Sequence, residues 1–319
     1  MGVDELSAAN GHLPALVEAD SGVSLATWLA SNHQAIRDQL CEIGAILFRG
    51  FSVPDAKSFA HACQVFAKPL LPYTERTAPR IQVSPGVYTS TEHPNGEKIE
   101  LHNANSYSHK WPRWIWFYCD REPESGGNTS IASSAAVLKR LESSILDKFR
   151  EHGVRYMRNF RNGMGISWQE SFGTEDSSEV RAYCDEAQIE IDRFDGNDLR
   201  TFQVRPALRT HPDTMNAVWF NQAHLFHSSS LRPELRKALL RTYGEDGMPR
   251  SASFGDGTPI TDEIADHLRD CLDSETVLFD WQQGDVLLLD NMLVAHGRSP
   301  YTGSRRILVS FAELYTCDS

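Results

Sequence analysis

Two histidines sit in surroundings that favour metal chemistry. His102 lies in the stretch Glu100-Leu101-His102-Asn103-Ala104-Asn105-Ser106-Tyr107-Ser108, just ahead of the strongly β-prone Trp114-Ile115-Trp116-Phe117-Tyr118. His296 follows Gly284-Asp285-Val286-Leu287-Leu288-Leu289-Asp290-Asn291, an apolar run rising into a turn. Imidazole is the commonest protein ligand for metals, although any one of the 12 histidines is by itself more often structural or solvated. Ten residues after His296 comes Arg306, placed to aim a guanidinium at a carboxylate. Gly126-Gly127-Asn128-Thr129 adds a hydroxyl on a glycine-released backbone. Strand side chains alternate, so Glu100 and Ala104 share the face of His102, while Asn103 and Asn105 face away.

Other chemistries are excluded by their motifs. Gly163-Met164-Gly165 is followed by neither a third glycine nor the Gly-Lys-Ser/Thr of a phosphate loop. Neither Gly-x-Ser-x-Gly nor His-Glu-x-x-His occurs. His211-Pro212-Asp213 is the only His-x-acid triplet, but its proline breaks ladder pairing and Pro-Asp-Thr reads as a turn, so it is not expected to hold metal.

The elements that must position these residues are many short strands with a few helices. Helical spacing is present over 25–40, over 55–66 behind a capping Asp55, over 131–151 ahead of Gly153, over 176–186, and over 233–243 and 261–272. Buried-strand patterns cover 44–51, 114–119, 286–289 and 306–311, with weaker ones at 80–83, 87–90, 155–158, 201–210 and 217–220. This order predicts a mainly β (α+β) sandwich or barrel with helices outside, without a βαβ repeat. One domain over 16–319 is expected after a flexible tail, 1–15. The glycine- and aromatic-containing connection 159–173 is expected to form a lid.

Composition narrows the partners. The chain has 319 residues, 40% hydrophobic and 23% charged, with a formal net charge of -12 and no basic run, which argues against nucleic acid or an anionic membrane as partner. No apolar run reaches the roughly 18 residues of a membrane span. The N-terminus has neither a basic n-region nor an apolar h-region, and the six scattered cysteines read as reduced, so a cytoplasmic protein is expected.

Taken together, Gly44–Phe51, Tyr73-Thr74-Glu75-Arg76, 101–107, 126–129, Ser167-Trp168-Gln169, His211-Pro212, Phe220-Asn221-Gln222, Tyr243-Gly244 and 290–298 resemble the taurine dioxygenase-like (TauD/TfdA) family of non-haem iron, 2-oxoglutarate-dependent oxygenases, especially its natural-product branch. The resemblance spans nearly the whole chain in order. It implies a double-stranded β-helix, or jelly-roll, binding Fe(II) and 2-oxoglutarate with O2 as co-substrate. It also implies that His102 and His296 ligate the metal, and that Thr129 and Arg306 hold the distal carboxylate of 2-oxoglutarate, with Arg305 pointing the other way.

The departure from that family is Ala104, where it carries Asp or Glu. A facial triad leaves three metal positions, two for the keto acid and one for dioxygen. Losing the carboxylate opens a fourth and removes a negative charge, and chloride could supply both, as in the iron-dependent halogenases that this arrangement resembles. Three readings stay open: a halogenase, a hydroxylase whose carboxylate was substituted, and a non-catalytic binding protein that retains the fold. The expected substrate is a small amino-acid-like molecule, free or tethered to a carrier protein. Arg76, Glu92 and Arg158 could fix its charged groups, and Tyr107, Trp168 and Phe172 could line its pocket, although aromatics at strand spacing are more often core.

Overall fold

The computed structural model describes residues 13–20, 22–72, 75, 77, 80–91, 93–161 and 163–316. A seven-stranded sheet runs in the order Ala15–Glu18, Ala45–Arg49, Val286–Asp290, Lys110–Arg121, Arg306–Thr316, Val87–Thr89, Gln82–Ser84. A four-stranded sheet, Val277–Phe279, Thr129–Ser133, Val294–Arg298, Ile99–His102, supplies the opposing layer. Leu47, Ile115, Phe117, Leu287 and Val309 of the first share one apolar cluster with Ile131 and Val294 of the second. The alternate residues Ile46, Phe48, Trp114, Trp116 and Leu288 point outward and are covered by the helices Leu25–Ile43 and Ala56–Phe66. Both faces of the large sheet are therefore buried, which is why its strands read as unbroken apolar runs. This is the jelly-roll expected.

Local chemistry ends the elements. Ser24 and Asp55 cap the two covering helices, accepting from the backbone N–H of Thr27 and Ser58. Gly44 closes the first with φ 88°, and a Cβ there would meet Val294 Cγ2 at 2.6 Å. The single helix expected over 131–151 is instead a strand and two helices, Ser134–Arg140 and Ser143–His152. Ile131 is taken by the sheet opposite His296, and Ser133 caps the helix behind it. The chain is also held earlier than expected: Ala15, assigned to the tail, opens a strand parallel to Ala45–Arg49. A separate four-stranded antiparallel sheet, Glu190–Asp195, Asp198–Arg205, Val154–Phe160, Arg250–Phe254, stands beside the core. Next to it, the expected lid contains the helix Trp168–Phe172, opened by a capping box between Ser167 and Glu170. No helix among the described residues is long and apolar enough to cross a membrane.

The turn after Val286–Asp290 joins the layers. The fully buried carboxylate of Asp290 accepts from the N–H of Met292 (2.9 Å) and Leu293 (3.2 Å), and its other oxygen pairs with His211 Nε2 at 2.9 Å. Asn291 Oδ1 accepts from Ala104 N–H at 2.7 Å, while Asn291 Nδ2 donates to the carbonyls of Ala104 and Pro112, each at 2.9 Å. Asn103 Nδ2 returns a bond to the Asn291 carbonyl at 2.7 Å. On the far side His224, 1% exposed, donates from Nε2 to the Leu101 carbonyl at 2.8 Å.

Two outcomes follow from these contacts. Asn291→Leu leaves an amide N–H and two carbonyls unpaired in the interior and should cost about 3 kcal/mol or more, measured by urea unfolding; a loss below about 1 kcal/mol would contradict the clamp. Burial pushes the His224 imidazole from 6.5 down to about 4. Between those values the unfolded chain takes up a proton that the folded ring refuses, so stability is complete above pH 6.5 and falls as pH drops toward 4, by up to about 1.4 kcal/mol per unit for each such histidine. His224→Gln should remove one histidine's share of that slope in urea titrations across this window, and an unchanged slope would refute it.

Candidate metal centre

His102 is the last residue of its strand and lies directly opposite His296 in register. The rings are 4.6 Å apart between centroids and inclined at 48°. That approach depends on Gly297, where the register shifts: a Cβ there would stand 2.5 Å from the Ile99 carbonyl oxygen and 3.1 Å from Leu101 N. His102 Nδ1 lies 2.8 Å from the Glu100 carbonyl, which can only accept, so Nδ1 carries the proton and Nε2 keeps its lone pair. Burial lowers His102 to about 4, and burial together with His102 itself holds His296 well below its ordinary value. His296 Nδ1 is buried with no hydrogen-bond partner. Two neutral imidazoles in contact, one with an unsatisfied nitrogen, suit a metal ion as their common partner.

No third ligand of the usual kind joins them. Among the described residues no group of three His, Cys, Asp or Glu could hold a metal. The strand alternation expected through position 104 stops at His102, because 104–107 form a turn and Asn105 has φ 55°. Ala104 is 7% exposed, belongs to the apolar cluster between the sheets and does not line the histidine cavity. Asn103 is committed to Ser134 Oγ and the Asn291 carbonyl, and Asn105 lines a different cleft beside Trp111.

The histidine cavity is lined by Thr129, Arg305, Arg80 and Phe117 among others. Thr129 is 3% exposed, and its Oγ1 accepts from Trp281 Nε1 at 3.1 Å. Arg305 donates from Nε to the Gly127 carbonyl at 2.9 Å and lies 5.7 Å from the Tyr301 ring. It makes no ion pair with a described carboxylate, and burial together with the neighbouring Arg298 lowers its guanidinium to about 10. Arg306 corrects the expectation: it is exposed and pairs with Asp120 at 3.0 Å outside the cavity. Counting by two from Val309 and Phe311, which face inward, reaches Ile307 and then Arg305, whereas Leu308 and Arg306 fall on the other face. The sequence could not decide between them because both faces of that strand are apolar.

The remaining expected residues divide. Arg76 and Glu92 lie outside the described residues. Tyr107 is 2% exposed, its hydroxyl donates to the Glu75 carbonyl at 2.5 Å, and its ring packs on Phe226 at 5.2 Å. Trp168 and Phe172 sit in a separate cluster with Phe160, Val180 and Leu199, away from the histidines, so they pack the expected lid instead of lining the metal cavity. Arg158 donates to Ser171 Oγ at 2.9 Å and faces Glu75 at 3.8 Å. His211 and Asp213 do not form a metal pair, since the first bonds Asp290 and the second Arg113. Trp281, Arg80 and Arg298 were missed. Arg298 donates to the carbonyls of His93, Pro94 and Glu97 and so fixes that loop; its signal was its place at the end of the 290–298 stretch.

Comparison with known proteins agrees with this arrangement. A family model described as taurine catabolism dioxygenase TauD, TfdA family matches residues 9–311. The chain is 42% identical over 282 residues to the dapdiamide synthesis protein DdaC of Enterobacter agglomerans, covering 88% of this chain and 86% of that protein. It is 32% identical over 286 residues to a clavaminate synthase-like protein of Arabidopsis thaliana, covering 86% and 83%. The crystal structure of PvcB from Pseudomonas aeruginosa superposes with a TM-score of 0.55 at 18% identity, over 93% of this chain and 84% of that one, which is a likeness of fold. With the family model spanning nearly the full length and the jelly-roll bringing two histidines together, the chain belongs to the TauD/TfdA dioxygenase family.

Proposed function

We propose that this chain is an iron(II)- and 2-oxoglutarate-dependent enzyme that activates an aliphatic C–H bond of a small, amino-acid-like molecule, and that it halogenates that carbon. The carrying observation is the His102–His296 pair with Ala104 in place of an acid and no third ligating side chain among the described residues. His102 and His296 would hold iron through neutral imidazoles, which burial keeps unprotonated at physiological pH. Arg305, with Thr129 beside it, would take the distal carboxylate of 2-oxoglutarate, since a buried guanidinium without an acid favours an anion. Bound iron, 2-oxoglutarate and dioxygen supply the oxidising power for breaking the C–H bond. Arg80 lines the cavity together with both histidines, and its charge makes that cavity hospitable to a halide. The resemblance of PvcB, described as an Fe, alpha-ketoglutarate dependent oxygenase from an isonitrile synthetic pathway, supports the fold on which this reading rests.

Two measurements test it. Anaerobic titration with iron(II) and 2-oxoglutarate should give a visible metal-to-ligand absorption band that tightens with chloride, and admitting oxygen should yield a chlorinated product. Hydroxylated product from Ala104→Glu alone would instead identify a hydroxylase lacking its acid, and no band in either protein would exclude iron. In the same titration Arg305→Gln should weaken 2-oxoglutarate at least about tenfold, the worth of one charged hydrogen bond, whereas Arg306→Gln should change it less than about twofold. The reverse ranking would return the role to Arg306.

A further inference from the structure

A second cavity, of about 450 Å³, opens where the strands Val154–Phe160 and Arg250–Phe254 meet the expected lid. Arg158 and Arg250 are direct register partners across those strands, and both line it. Like charges placed opposite one another on a strand pair repel. Glu75 faces Arg158 at 3.8 Å, but no carboxylate of a described residue pairs with Arg250, whose guanidinium lies 5.5 Å from the Phe226 ring. Asn159, 2% exposed, contributes to the same wall, and neither of its amide atoms has a partner. Apart from Thr77 the rest is apolar, with Phe160, Met164, Ile166, Leu235 and Leu239 prominent. Phe226, in the cavity wall, ends the short helix Ala223–Phe226, whose His224 bonds the carbonyl of Leu101 next to His102, and this sets the cavity beside the histidine pair.

We infer that this cavity binds the carboxylate end of the substrate on Arg250 and Arg158, and that the substrate is therefore a free organic acid of about amino-acid size with an apolar body. The charges support an anion: no carboxylate of a described residue pairs with Arg250, so a ligand carboxylate would meet its charge there. A carboxylate is the planar acceptor that a guanidinium fork bonds in two places. A substrate joined to a carrier through a thioester at that carbon would have no such group to offer. The inference rests on the proposed C–H activation at His102 and His296, and it names the far end of the same substrate.

Ligand-observed NMR on the metal-free protein tests binding without any turnover. The probes are the twenty proteinogenic amino acids, their N-acetyl forms, their C-terminal amides, and hexyl phosphate. At least one free acid with an apolar side chain should bind at least tenfold tighter than its amide. Arg250→Met should lose that preference while keeping 2-oxoglutarate binding, and Arg305→Met should do the opposite. Should Arg250→Met fail to fold by circular dichroism, Arg250→Lys replaces it and is expected to weaken the acid at least threefold. Equal binding of acids and amides, no binding by any free acid, unchanged binding in a folded Arg250 variant, or preference for hexyl phosphate would each overturn the assignment. Failure of the unaltered chain to bind 2-oxoglutarate with iron(II) present would instead strike only the iron reading, because the Arg250 measurement needs no metal.

Discussion

The Asn291 amide is the contact on which the placing of the His102–His296 pair depends. It bonds both the N–H and the carbonyl of Ala104 and reaches Pro112 as well, so one side chain ties the end of the His102 strand to the start of the longest central strand. Asn291 is itself held in a turn by the Asp290 carboxylate, whose second oxygen pairs with His211. All of these groups are enclosed, where an unpaired polar atom is costly and a satisfied network has one geometry. The position of His102 against His296 is therefore set by backbone bonds made two residues away from the imidazole, before any metal arrives.

That dependence also explains what the sequence could reveal. His102, His296 and Thr129 were legible because their flanking motifs are local. The scaffold strands were legible because their apolar runs are long. Position 104 was read as a strand residue, yet the Asn291 clamp draws the chain into a turn there, and a contact 187 residues away leaves no local trace. Arg305 and Arg306 were ambiguous for a different reason: a strand buried on both faces has no polar side from which to count. The 131–151 helix failed where sheet pairing outbid helical spacing at Ile131. Trp168 and Phe172 illustrate the usual fate of aromatics, since both are packing.

Charge is distributed in two populations. The chain carries a formal net charge of -12, but Arg80, Arg298 and Arg305 gather about the metal cavity and Arg158 with Arg250 beside it. Burial lowers Arg298, Arg305 and Arg250 below the ordinary arginine value, the electrostatic sign of cations drawn out of water.

The separation of the two sheet systems has a consequence for how such a protein can change. The large sheet is filled on both faces and the Gly297 contact leaves no slack, so the distance between His102 and His296 tolerates little alteration. Arg250 and Arg158 belong to the other sheet, whose strands share no ladder with the histidine strands. Size and charge there can be rewritten while the geometry of the histidine pair is inherited intact.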